Sequence, residues 1–167
     1  DTHVRIVGDA VYGLQCAFFN DWRYCTKNSQ SFQQLYDEGY FVKSRSSGEI
    51  GAQIITSGPE NSQQEIKDAF VKMILSAKEK IYIQTPYFIP DEVVLSALNY
   101  ARMSGVEINL IIPKVPDKKI VSMATLSHVK ELISYGDRIN VYLYNGFIHS
   151  KMIMIDNKVV SIGSCNF

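Results

Sequence analysis

Val106 to Ile112 form an almost unbroken apolar run, and few features restrict a fold more. Such a run reads as a strand buried on both faces, the kind found in sheets of parallel strands covered by helices. Lys80 to Thr85, stopped by Pro86, and Arg138 to Tyr144 read as two further strands. Between them lie segments of helical period. Ile66, Phe70, Met73, Ile74 and Ala77 form one apolar face, behind a cap at Asn61 or Ser62. Val94, Leu98 and Ala101 follow a start at Asp91 and a stop at Gly105, and a third helix is expected from about Lys118 to Tyr135. Strands alternating with helices of this length specify an α/β fold, a mostly parallel or mixed β-sheet flanked by helices. Two last apolar runs, Ile148 to Ile155 and Val159 to Ile162, add an antiparallel hairpin at the C-terminal end.

The first third is less regular. Val4 to Val7 alternates like a strand, and Val11, Leu14, Phe18, Trp22 and Cys25 mark an amphipathic helix. Periodicity then vanishes from Thr26 to Gly51, apart from a short helix expected around Phe32 to Tyr36; Ala52 to Ser57 reads as a short strand. The expected organisation is an N-terminal strand, helix and irregular connection over 1–50. A catalytic half domain, cut short at its C-terminus, is expected over 51–167. A first residue that is Asp and not Met reads as a piece of a longer chain. With 46% apolar and 20% charged residues, the composition is that of a soluble globular protein. Seventeen basic against seventeen acidic residues give no global field to draw it onto nucleic acid. No apolar stretch reaches the roughly 18 residues of a membrane span. Three cysteines without CxxC spacing read as unpaired thiols, not a zinc site.

The chemistry lies on the hairpin. His149, Lys151, Asp156, Gly163, Ser164 and Asn166 follow the spacing H-x-K-x(4)-D-x(6)-G-S-x-N. A neutral imidazole attacks phosphorus or exchanges protons near pH 7, lysine supplies a fixed positive charge, and Ser and Asn add uncharged donors. This set handles a phosphate ester with no metal and no cofactor. If Asp156 and Asn157 form a two-residue turn, Ile155 faces Lys158 and His149 faces Ser164. His149, Lys151, Ser164 and Asn166 then share one face, a grouping that a one-residue slip destroys. Asp156 lies about 23 Å along the strand from His149, at about 3.3 Å per residue. It is expected to shape the turn or hold a distant contact.

At these residues the chain resembles the phospholipase D superfamily, whose signature is this pattern. Asp1 to Gly8, Asp21-Trp22, Ile83 to Asp91, Ile111 to Pro113 and Pro116-Asp117 are similar to the bacterial cardiolipin synthase family within it. The resemblance implies the second half of a two-motif enzyme. One motif histidine forms a phosphohistidine with a phosphatidyl group, and the other, matched by His149, protonates the leaving alcohol. A second phosphatidylglycerol accepts the group, giving cardiolipin and glycerol. Lys151 and Asn166 match phosphate-binding positions, and Asp1 falls where an acid orients the second-half histidine. The implied partners are phosphatidylglycerol and the missing first catalytic half, or a second copy of this chain; no nucleic acid is expected. The implied location of the parent is the bacterial cell membrane.

Other residues carry weaker signals. Tyr87 and Phe88 follow a strand's carboxyl end, where α/β proteins place ligand sites, and either greet substrate or pack on the next helix. Lys114, Lys118 and Lys119 either meet anionic headgroups or form a solvated surface. Tyr142, Tyr144 and Phe147 are expected in the core or the pocket wall, and Phe147 is a candidate substrate contact. Cys165 is expected to pack; His3 and His128 are expected to be structural. Two other readings remain open: a single-motif phosphodiesterase or nuclease active as a homodimer, and an inactive isolated half.

Overall fold

The computed structural model describes residues 2–27, 30–41, 48–58, 63–115 and 117–167. Its contacts divide the chain into two compact units, Val4–Ser62 and Gln63–Phe167, the second joined by Asp1–His3.

In the first unit, α1 (Ala10–Thr26) and α2 (Phe32–Asp37) are the regular elements among the described residues. Ser31 caps α2 in a reciprocal box with Gln34. Phe19 is the buried residue of α1, with Trp22, Tyr40 and Phe41 around its ring at 5.5 to 5.9 Å. The expected stripe is corrected by this cluster: Val11, Leu14, Phe18 and Cys25 are exposed. Apolar residues occur on more than one side of this helix, and aromatic packing selects Phe19. Gly13 permits a close approach, since a Cβ there would meet Ile54 Cγ1 at 2.7 Å. Neither Val4 to Val7 nor Ala52 to Ser57 forms a strand; residues this few need a ladder partner to hold an extended conformation.

The second unit runs α3 (Glu65–Ser76), β1 (Lys80–Gln84), α4 (Glu92–Met103), β2 (Glu107–Pro113), α5 (Lys119–Ser134), β3 (Ile139–Tyr144), β4 (Lys151–Ile155) and β5 (Val159–Gly163). The helix caps expected at Asn61 or Ser62 lie outside the described residues. Asp91 caps α4, its carboxylate accepting the Val94 N–H at 3.0 Å. The sheet order is β3-β2-β1-β4-β5, with β1, β2 and β3 parallel and β4 and β5 antiparallel. This is the α/β fold with a mixed sheet and a terminal hairpin that the sequence predicts.

Cross-strand pairs place Ile81, Ile83, Ile108, Leu110, Ile153 and Ile155 on one face of the sheet. Phe70 and Ile74 of α3, Val94 and Leu98 of α4, and Val129 and Leu132 of α5 complete one core with them. The expectation that β2 is buried on both faces holds fully only for the core side. Glu107, Ile111 and Pro113 on its other face are only half-buried. Asn109, on that same face, is 3% exposed and fully engaged. It donates to Glu107 at 3.0 Å and accepts from Asn140 at 3.1 Å and Tyr142 at 3.4 Å.

Candidate active site at the carboxyl end of the sheet

β4 runs antiparallel to β1, so its first residue, Lys151, stands at the carboxyl end of β1 and β2. That is the edge where open α/β sheets place their ligands. Lys151 is 6% exposed and shares the core-facing parity of Ile153. Burial holds its ammonium below the usual lysine range. Its Nζ donates to the His149 carbonyl and lies 3.0 Å from His149 Nδ1. The His149-Lys151 pairing expected from the sequence is therefore direct contact. The contact engages the Nδ1 side of the imidazole.

His149 itself is exposed and precedes the ladder. Its ring stacks on Phe147, with centroids 6.0 Å apart and planes 4° from parallel. Beside it is a small depression lined by Pro86, Pro113, Val115, Asp117 and Phe147. Between His149 and Lys151, Ser150 is buried, and its Oγ has no hydrogen-bond partner among the described residues.

The hairpin register differs from expectation. Ile155 pairs with Val159 and Lys151 with Gly163, one residue away from the predicted alignment. Asp156 and Asn157 both take left-handed backbone, at φ 51° and 55°, but the loop holds three residues and ends as the Lys158 N–H donates to the Ile155 carbonyl at 2.9 Å. By strand parity Ser164 and Asn166 now fall opposite to Lys151, so the single-face grouping is not formed by the ladder. The ladder ends at Gly163 and both residues are exposed beyond it. Cys165 is exposed as well, which corrects its assignment to packing. The tail is fixed by Phe167, which stacks on Phe70 at 4.5 Å and whose carbonyl accepts the Ile89 N–H at 2.7 Å.

Asp156 stands where expected, away from His149, and has a defined partner. Its carboxylate accepts the backbone N–H groups of Lys78, Glu79 and Lys80 at 2.8, 2.9 and 2.8 Å. These donors, Lys80 foremost, hold its carboxyl below the usual range.

Phe88 is fully buried in the core and its N–H donates to Thr125 Oγ1 at 3.3 Å. It packs beneath α5 and is no substrate wall. Tyr142, Tyr144 and Phe147 are exposed, the two tyrosines because β3 is an edge strand. Tyr87 reaches the site through Asp117, to which its hydroxyl donates at 2.6 Å. That bond leads the effects that hold the Asp117 carboxyl below its usual range. Asp117 on the rim entered the sequence reading only as part of the Pro116-Asp117 resemblance, with no role given to it; its other signal was its place on a loop after a strand's carboxyl end. Asp1 lies outside the described residues. Among the described residues no cluster of His, Cys, Asp and Glu is placed to hold a metal ion.

Residues 70–167 match a family model described as cardiolipin synthase, PLD-like domain. A cardiolipin synthase of Oceanobacillus iheyensis is 43% identical over 166 residues, covering 99% of this chain and 33% of the relative. A cardiolipin synthase of Staphylococcus aureus is 46% identical over 169 residues, with the same shares. The chain thus spans about a third of the length of the curated relatives it matches. Among solved structures, a phospholipase D family member, Nuc from Salmonella typhimurium, is 25% identical, with a TM-score of 0.49 over 62% of this chain and 65% of that one.

Proposed function

The chain belongs to the family of cardiolipin synthase, PLD-like domains, and on that footing we propose that it is the second catalytic half of a cardiolipin synthase. The observation that carries this reading is the contact between His149 Nδ1 and Lys151 Nζ at 3.0 Å. It sets the ring of the candidate acid–base group against the cation that would meet the phosphate oxygens.

In the proposed reaction, the histidine of the complementary half attacks the phosphorus of one phosphatidylglycerol. The phosphorus–oxygen bond to the terminal glycerol breaks, and His149, entering the step as the imidazolium, gives its Nε2 proton to that oxygen, releasing glycerol and leaving a neutral ring. The phosphatidyl group is then held on the partner histidine through a nitrogen–phosphorus bond. A hydroxyl of a second phosphatidylglycerol attacks that phosphorus while His149, now the neutral imidazole, takes the hydroxyl proton at Nε2 and returns to the imidazolium. The nitrogen–phosphorus bond breaks and cardiolipin forms. Lys151 offers its ammonium to the non-bridging oxygens, where charge grows in both transition states. Ser164 and Asn166 supply neutral donors, and the parent enzyme works at the bacterial membrane.

The test supplies the chain with the remaining two-thirds of the Oceanobacillus iheyensis cardiolipin synthase and presents phosphatidylglycerol vesicles. Release of cardiolipin and glycerol in a one-to-one ratio, lost in His149→Ala, is the expected result. Equal product with and without that substitution sinks the proposal. Cleavage of DNA by the chain alone would instead favour a single-motif homodimer.

A further inference from the structure

α5 is apolar on two sides. Thr125, Val129 and Leu132 face the core. Ile120 and Met123, one turn apart, lie on the other side and are 83% and 73% exposed; Leu126 continues the same line into solvent. Large apolar side chains normally turn inward on a helix that already has a core face, so an outer stripe of them marks a contact surface. Val115, four residues before α5, and Phe147 are 68% and 70% exposed and line the depression beside His149. The charge there leans positive. Residues 114–131 hold four lysines, Lys114, Lys118, Lys119 and Lys130, against the carboxylates of Asp117 and Glu131. All four lysines are exposed, and Asp117 is engaged by Tyr87.

We propose that the outer face of α5, with Val115 and Phe147, is a docking surface for an anionic phospholipid bilayer. Exposed apolar side chains in a segment rich in lysine suit an interface whose headgroups are negative and whose acyl boundary is shallow. Val115 and Phe147 line the depression beside His149, so a bilayer that takes them up lies at the mouth of the site, where a phosphodiester enters without leaving it. No helix among the described residues is long and apolar enough to cross a membrane. The overall charge balance of the chain does not oppose docking, because the lysines act within a Debye length of the surface. The inference deepens the phosphatidyl-transfer reading and rests on it for the partner's chemistry; binding is measured without turnover, so the two fail separately.

The experiment is flotation of the chain with vesicles of phosphatidylglycerol and phosphatidylcholine against vesicles of phosphatidylcholine alone. Binding is expected only to the anionic vesicles and should weaken as salt rises. Lys118→Gln with Lys119→Gln should lower the partition coefficient by about thirtyfold, from the contribution of each basic residue near an anionic surface. Ile120→Ser with Met123→Ser should lower it by about tenfold or more through lost apolar insertion. These positions are exposed, so unchanged circular dichroism should accompany the loss. Binding to anionic vesicles unaffected by either double variant, or no binding at all by the folded wild type, overturns the proposal. So does a concentration-dependent dimer that the Ile120→Ser/Met123→Ser variant abolishes in place of vesicle binding, because the stripe would then belong to a second copy.

Discussion

Asp156 Oδ1 accepts the backbone N–H of Lys80 at 2.8 Å, tying the loop between β4 and β5 to the first residue of β1. The Asp156 N–H returns a bond to the Lys80 carbonyl at 2.9 Å. Together with the donors from Lys78 and Glu79, this makes the signature aspartate a strut.

Asp156→Asn should therefore lower stability at neutral pH while leaving the His149-Lys151 contact in place. The folded carboxyl is held below its unfolded value, so its contribution is present above about pH 4 and is lost as pH falls through the folded value. Urea denaturation at pH 7 and pH 3 should show the gap between wild type and variant narrowing in acid. A gap that widens toward pH 3 would contradict the strut.

Lys151→Met separates stability from function. Burial disfavours the ammonium, and methionine fills similar volume without a charge. The thermal midpoint should hold or rise, while transfer activity in the complemented enzyme should fall by about 100-fold or more, as for loss of one preorganised donor. With the folded value lowered, the unfolded state binds the proton more tightly between the two values. Wild-type stability should then gain on the variant as pH climbs through that window toward 10.5.

His149→Ala should cost a factor of about 10² to 10⁴ in transfer by the complemented enzyme, the usual range for a positioned acid–base group. Its ring is exposed, so the unfolding midpoint should barely move. An equal loss of stability and activity would assign the histidine a structural part.

Phe70→Ala removes the ring on which Phe167 stacks, and should destabilise the chain by about 3–5 kcal/mol. Because Phe167 fixes the tail that carries Ser164 and Asn166, activity should fall before global unfolding does. Chemical denaturation and activity measured along one temperature series would detect that order.

The second unit was largely legible. Apolar runs gave β1, β2 and β3 to within a residue or two, and the period of Ile66, Phe70 and Ile74 gave the core face of α3. The hairpin register was not legible, for a definite reason. Left-handed backbone at Asp156 and Asn157 suits a two-residue turn and a three-residue loop alike. The choice accompanies bonds from Asp156 to residues 76 to 78 positions earlier, which no local pattern displays. In α1 the apolar residues admitted more than one face, and the aromatic cluster around Phe19 selected another. The Tyr87–Asp117 bond spans thirty residues and two loops, so neither residue alone announced it.

The segment from Lys151 to Phe167 is held at both ends of β1. Asp156 grips Lys78, Glu79 and Lys80 where the strand begins, and Phe167 meets Ile89 just after it ends. The smallest transplantable piece of this site is consequently not the signature stretch 149–166 by itself. Grafted alone into another scaffold, it would lose both moorings; residues 78–89 would have to travel with it.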